Sequence, residues 1–141
     1  MFFVSACLVG MKCRYDGGTK RDLPFLKSIQ GHRIIFGCPE SLGGLPTPRS
    51  PSHITSGSGE DVLNGNAAVI NENGEDVTAC FLKGAETTFE MIYRWCITKA
   101  FLKAKSPSCG ITAIIRNGET VAGTGVTAAL LKHHDIELIE I

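Results

Sequence analysis

The sequence predicts an α/β fold in which helices cover a mainly parallel sheet. Short apolar runs of β-forming residues alternate along the chain with segments of helical periodicity, which is typical of this class. With 141 residues and 43% hydrophobic content, the chain has the size and composition for one substantial core. We therefore expect a single domain over residues 1–141, built as a three-layer sandwich with a Rossmann-like sheet and a small β-hairpin insertion.

The predicted elements follow one another in this order: a strand over 2–6, a helix over 23–30, a strand over 33–37, a hairpin over 62–77, a helix over 78–96, a strand over 100–104, a helix over 127–134 and a strand over 136–141. The first two strands are apolar runs rich in Phe, Val and Ile, which favour β structure. The first helix begins after Asp22, a residue type that caps helix N-termini. Residues 39–59 hold four prolines, so we expect a long functional loop without regular structure there.

The second half of the chain carries the strongest helical pattern. Asn73 and Gly74 form a turn signal inside the predicted hairpin. Apolar residues then recur at helical spacing from Phe81 to Cys96, which predicts an amphipathic helix of about five turns with Cys96 on its buried face. The next helix is rich in Ala and Leu, and the last strand alternates apolar and acidic residues.

Charge and composition narrow the function classes. Basic and acidic side chains balance, with 14 of each, so we expect no bulk electrostatic binding to DNA, tRNA or a membrane surface. The apolar N-terminus lacks the basic segment of a secretory signal, which leads us to expect a cytoplasmic protein. In that compartment the six cysteines would be core residues, reactive thiols or metal ligands rather than disulfides.

Three cysteines share a position relative to the predicted strands. Cys7, Cys38 and Cys109 each lie at or just beyond the carboxyl end of a strand. Parallel strands end at one edge of their sheet, and open α/β sheets bind ligands at that edge. We therefore expect these three thiols to gather in one place.

Gathered thiols fit several kinds of site. Soft thiolates bind zinc, Cu(I) or iron–sulfur clusters, and the absence of a Cys-x-x-Cys pair weakens the zinc alternative. Three cysteines on a 4Fe–4S cluster would leave one iron open as a Lewis acid. A fourth ligand, for which Cys13 is the candidate, would close the cluster for electron transfer. Buried cysteines that act as small hydrophobes, an electron- or sulfur-transfer protein and a structural zinc module remain alternatives.

Polar residues near the same edge are candidates for catalysis and substrate binding. Glu40 lies two residues after Cys38 and could act as a general acid or base. Ser106 and Ser108 could bond cluster sulfur, substrate or water, although ordinary turn serines have the same pattern. The charged candidates for seating a phosphate or a polarised carbonyl are Arg14, Asp16, Lys20 and Arg49.

Seven motifs extend over nearly the whole chain. They are residues 4–10 (VSACLVG), 13–17 (CRYDG), 38–40 (CPE), 44–49 (GLPTPR), 76–78 (DVT), 105–110 (KSPSCG) and 125–131 (GVTAALL). In this order they resemble the thiouracil desulfidase family, long catalogued as a bacterial domain of unknown function. The resemblance implies that residues 1–141 form one desulfidase-like domain.

The resemblance also implies a cofactor and a reaction. An oxygen-sensitive 4Fe–4S cluster would be held by Cys7, Cys38 and Cys109. The substrate would be a thiolated pyrimidine, such as 2- or 4-thiouracil or its nucleoside or nucleotide, and the products uracil and sulfide. We expect a non-redox hydrolysis of the C–S bond, in which the substrate sulfur binds the open iron and Glu40 activates water, assisted by one of the two serines. No tRNA, DNA or membrane partner is expected.

Overall fold

The computed structural model describes all 141 residues and contains five α-helices and eight strands. The helices are α1 (Leu23–Ser28), α2 (Pro39–Leu42), α3 (Gly59–Leu63), α4 (Thr78–Arg94) and α5 (Val126–His133). The strands are β1 (Phe2–Ser5), β2 (Ile34–Gly37), β3 (Ser52–Ile54), β4 (Val69–Asn71), β5 (Lys99–Leu102), β6 (Ala113–Arg116), β7 (Glu119–Ala122) and β8 (Glu137–Glu140). Four strands form a parallel sheet in the order β2-β1-β5-β8, which confirms the predicted fold class. No helix is both long and apolar enough to cross a membrane.

Helices cover the two faces of this sheet. Successive strand residues point to opposite faces, so neighbouring side chains enter different cores. Phe3 packs with Leu131 of α5 and with buried residues of α4 on one face. Val4 packs with Phe25 of α1 on the other face, where Phe25 also contacts the Phe101 ring. The predicted three layers therefore result from the period-2 pattern of β1 and its neighbours.

Local signals explain where the predicted helices begin and end. The Asp22 carboxylate accepts a hydrogen bond from the Phe25 amide at 2.9 Å, so Asp22 caps α1 as predicted. Helix α4 ends at Arg94, before Cys96, whose φ of 51° turns the chain toward β5. Cys96 is exposed and Ile97 occupies the buried position, so the expectation of a buried Cys96 was wrong.

The segment predicted as a loop contains regular structure. Residues 39–59 include α2, β3 and the first residue of α3. Proline suits the first turn of α2 because an N–H there has no partner within the helix. At α3 the Ser58 amide donates to the Asp61 carboxylate at 2.8 Å, which stabilises the helix start.

The insertion differs from the predicted hairpin. The turn at Asn73 and Gly74 is present, and Gly74 has the positive φ that such turns require. However, residues 59–63 form α3, and β4 pairs antiparallel with β3 from the supposed loop. A second antiparallel pair, β6 and β7, closes at Asn117 and Gly118. Antiparallel pairs are therefore present, but the first uses a partner from outside the predicted segment.

Helix α2 rests directly on α4 through two glycines. A Cβ atom on Gly43 would lie 1.9 Å from the Cys80 carbonyl oxygen, and one on Gly84 would lie 2.0 Å from the Pro39 carbonyl oxygen. Only glycine allows this backbone approach. The contact fixes α2, and with it Glu40 in its first turn and Cys38 directly before it.

The close contact gives a stability prediction for Gly84→Ala. Alanine favours a helix interior over glycine by about 1 kcal/mol, but here its methyl group would collide with the α2 backbone. We expect a net loss of about 1–3 kcal/mol in the free energy of unfolding, measured by urea denaturation. Glu86→Ala, an exposed change in the same helix, is the control and should change stability by less than about 0.5 kcal/mol. A Gly84→Ala protein as stable as wild type would contradict the packing explanation.

Candidate active site

A cavity of about 220 Å³ lies at the carboxyl edge of the parallel sheet. It is lined by the segment after β1, the start of α2 and the loop after β5. Four cysteines, Cys7, Cys13, Cys38 and Cys109, contribute to its wall. The predicted gathering of thiols at this edge is therefore found, with Cys13 as a fourth member.

Cys7 lies in a 3-10 turn over Ala6–Val9 that follows β1 directly. Its carbonyl oxygen accepts hydrogen bonds from the Thr19 hydroxyl at 2.8 Å and the Lys20 amide at 3.0 Å. These bonds fold the loop over residues 10–20 back toward the sheet edge. As a result, Cys13 and Arg14 of that loop reach the cavity wall.

The loop that carries Cys109 is pinned by the N-terminus of α5. The amides of Gly125 and Val126 donate to the Gly110 and Pro107 carbonyl oxygens, both at 2.8 Å. Gly125 also permits close packing, because a Cβ there would lie 2.4 Å from the Ser108 carbonyl carbon. The amides at this helix start are thus used within the protein, and they hold Cys109 in place.

The two candidate serines differ in position. The Ser106 hydroxyl oxygen accepts hydrogen bonds from the amides of Ser108 and Cys109, both at 3.1 Å, and Ser106 lines the cavity. Ser108 is buried and does not line the cavity. Of the two, Ser106 is the one that can contact a molecule bound there.

The thiols influence one another electrostatically. A hydrogen bond with the Cys13 thiol lowers the pKa of Cys7, whereas the Cys13 thiol and burial raise the pKa of Cys38. Burial raises the pKa of Cys109 to about 12, partly opposed by hydrogen bonds with the Ser5 and Ser106 hydroxyls. Without a cation most of these thiols stay protonated at neutral pH, and a bound cation would favour the thiolates.

The chemistry of the thiols indicates which kind of metal group could bind at the wall. No set of three or more His, Cys, Asp or Glu side chains is close enough to hold a single metal ion. The four cysteines of the wall are soft sulfur donors, the type of ligand that holds an iron–sulfur cluster.

Glu40 and Arg49 form a largely buried ion pair at the cavity wall. Their side chains are 15% and 5% exposed, and Arg49 Nε lies 3.1 Å from Glu40 Oε1. Removing one partner of such a pair leaves an uncompensated charge, which typically costs about 3–5 kcal/mol. Glu40 is therefore held as a paired carboxylate beside the three candidate ligands.

The other charged candidates separate into two groups. Arg14 lines the cavity, and its guanidinium lies 3.8 Å from the Asp16 carboxylate. Asp16 and Lys20 do not line the cavity, and Asp16 instead accepts a hydrogen bond from the Gly18 amide at 2.8 Å. The expectation that Asp16 and Lys20 contact substrate has no support in this geometry.

Several wall residues were not identified from the sequence. They are Ser5, Tyr15, Lys103, Lys105 and Ile115. Ser5 accepts a hydrogen bond from the Lys103 amide at 3.0 Å, and Lys103 follows the carboxyl end of β5. The strand-end rule that identified the cysteines could have found Lys105, which directly follows the strand predicted over 100–104, whereas Lys103 lies inside that prediction. Ile115 has no local signal, because it reaches the cavity only through the bridge between Lys105 and Ile114.

Comparisons with known proteins identify the family of this chain. The model of the 2-thiouracil desulfurase family matches residues 2–141. The uncharacterized protein YbbK of Bacillus subtilis (strain 168) is 41% identical over an alignment of 142 residues that covers 99% of this chain and 94% of that protein. The solved structure of the [4Fe-4S]-dependent thiouracil desulfidase TudS is 39% identical, with a TM-score of 0.86 over 99% of this chain and 89% of that one. The chain therefore belongs to the 2-thiouracil desulfurase family.

Proposed function

We propose that this protein is a desulfidase that removes sulfur from thiolated pyrimidines with a 4Fe–4S cluster held by Cys7, Cys38 and Cys109. The observation that carries the proposal is that these thiols and the Glu40 carboxylate line one cavity. Family membership and the likeness to TudS support the same reaction class. When bound, the cluster would supply a Lewis-acidic iron without a protein ligand, which polarises a C=S bond.

Glu40 is the proposed general base. Its Oε1 atom accepts a hydrogen bond from Arg49, whereas its Oε2 atom takes no hydrogen bond from the protein. The free oxygen can accept a proton from a water molecule that attacks the thiocarbonyl carbon. Hydrolysis in this form breaks the C–S bond, releases sulfide and leaves a carbonyl oxygen on the pyrimidine, with no net oxidation or reduction.

Ser106 is the proposed partner of Glu40. Its oxygen accepts two backbone hydrogen bonds, so its own hydrogen remains available to donate. That hydrogen can be donated either to the Cys109 sulfur or to a bound water molecule, so Ser106 can position water next to the proposed ligand. Ser108 is not proposed for this role because it does not line the cavity.

The proposed substrate is a small molecule. The proposed ligands and Glu40 line a cavity of about 220 Å³ rather than an open surface, which favours a small molecule over a folded nucleic acid. Arg14, Lys103 and Lys105 place cationic side chains on its wall, where they can contact the polar atoms of a base, nucleoside or nucleotide. No tRNA, DNA or membrane is part of the proposal.

The activity can be measured directly. Protein reconstituted anaerobically with iron and sulfide should convert 4-thiouracil to uracil and release one sulfide per uracil. The control is the same protein without iron, which should be inactive. A fully loaded protein that leaves 2-thiouracil, 4-thiouracil and their nucleosides and nucleotides unchanged would contradict the proposal.

The ligand set gives a prediction for Cys38→Ala. Loss of one of three thiolates should prevent stable cluster binding, so the visible absorption of reconstituted protein should disappear. The matched control is Cys96→Ala, because Cys96 is exposed and does not line the cavity. That variant should keep the absorption. A normal, stable cluster in Cys38→Ala would overturn the three-ligand assignment.

Glu40→Gln separates cluster binding from chemistry. The amide oxygen can still accept the Arg49 hydrogen bond, but it cannot take a proton from water. We expect an unchanged cluster spectrum and a turnover about 10²- to 10⁴-fold lower, the usual contribution of a positioned base. Turnover at the wild-type rate would exclude Glu40 as the base.

Cys13 favours a second candidate function, because its thiol shares the cavity with the three ligands. A closed cluster with Cys13 as the fourth ligand would suit electron transfer rather than desulfuration. Cys13→Ser distinguishes the two functions. In the desulfidase proposal the variant keeps its cluster and most of its turnover, whereas an electron carrier would lose its closed cluster.

A further inference from the structure

We propose that Arg49 is a positioning residue, which holds the Glu40 carboxylate and the Cys38 sulfur in one fixed arrangement and does not bind substrate. The inference rests on the proposed desulfidase function and gives Arg49 a different role from the phosphate or carbonyl contact expected from the sequence. It follows from a count of hydrogen-bond donors and from the burial of the guanidinium.

The edge of the guanidinium that faces the site is fully used. Arg49 Nε donates to Glu40 Oε1 at 3.1 Å. Nη2 donates to the Cys13 carbonyl oxygen at 3.0 Å, and its second N–H faces the Cys38 sulfur at 4.0 Å, the long end of an N–H···S contact. One planar group thus contacts the proposed base, a proposed cluster ligand and the loop between Cys7 and Lys20.

The remaining nitrogen is also used within the protein. Arg49 Nη1 donates to the Pro46 carbonyl oxygen and to the Thr47 hydroxyl, both at 3.0 Å. A guanidinium has five N–H donors, and each of them meets an acceptor of this chain. The Arg49 side chain is also only 5% exposed. No donor is left for a substrate.

These contacts join separate parts of the site into one body. The Arg49 amide donates to the Tyr15 carbonyl oxygen at 2.7 Å, in addition to the side-chain bond to the Cys13 carbonyl. The loop after β1 is therefore tied to the segment after α2 by both backbone and side chain. Because buried charge-assisted bonds are strong and directional, the arrangement fixes Glu40 relative to Cys38.

Arg14 provides the contrast within the same cavity. Its side chain is 23% exposed, and its only ion pair is to Asp16 at 3.8 Å. Most of its donors are therefore available to a bound molecule. The two arginines of the wall accordingly have different roles, with Arg14 open to substrate and Arg49 engaged by the protein.

The test compares Arg49→Lys with Arg14→Lys in the cluster-loaded enzyme. Lysine keeps the charge beside Glu40, but three donors on a flexible stem cannot span the same acceptors. We expect kcat to fall about 10- to 100-fold with KM within about twofold, since misplaced catalytic groups slow the chemical step. Arg14→Lys should instead raise KM with kcat near wild type, and the surface variant Arg94→Lys should change neither. A raised KM with unchanged kcat in Arg49→Lys would overturn the proposal.

A second measurement does not depend on activity. In cluster-free protein, peptides covering residues 11–20 should exchange their amide hydrogens faster in Arg49→Lys than in wild type, whereas Arg14→Lys should leave exchange across residues 38–49 unchanged. Unchanged exchange over residues 11–20 in Arg49→Lys would contradict the positioning role.

If Arg49→Lys does not fold, the double variant Arg49→Gln with Glu40→Gln removes the unpaired charge and allows the same exchange measurement. A wild-type enzyme without turnover would defeat the proposed function, and the exchange result would still decide the role of Arg49.

Discussion

The four strands of the central sheet run in the same direction, and the site depends on this constraint. It brings the segments after β1, β2 and β5 to one edge, although Cys7, Cys38 and Cys109 are far apart in sequence. In each segment a different local structure places a cysteine at the cavity. A 3-10 turn follows β1, the start of α2 follows β2, and a loop held by the amides of α5 follows β5.

Backbone contacts hold the site more firmly than side-chain packing alone could. Glycines at the α2–α4 contact and at the start of α5 allow main chains to touch, so the cysteine segments rest on rigid helices. The Arg49 guanidinium also holds the site together, through polar contacts that link the loop after β1 to Glu40 and Cys38. A cavity wall fixed in this way can present the proposed ligands and the proposed base in a preorganised arrangement, which the proposed cofactor-dependent reaction requires.

The sequence predicted the parts of the molecule that local physics determines. The apolar runs of β1 and β2, the Asp22 cap and the periodicity of α4 follow from side-chain preferences, and the strand-end rule brought three cysteines together. The proline-rich composition of residues 39–59 led to the prediction of a loop, so α2 and β3 were not predicted. Short elements that are held by tertiary contacts have weak local signals. The sequence also did not predict where α4 ends. Ile97, rather than Cys96, fills the core after the helix. The engagement of Arg49 by five acceptors depends on contacts across the fold, and no local pattern encodes it.

The proposed function requires that the gathered thiols hold a four-iron cluster. The most direct measurement is the amount of iron and acid-labile sulfide per chain after anaerobic reconstitution, with zinc measured in the same sample. We expect about four iron and four sulfide per chain, the composition of a 4Fe–4S cluster. Zinc alone, or free thiols with no metal bound, would contradict it and would make the cysteines a structural or thiol-based site.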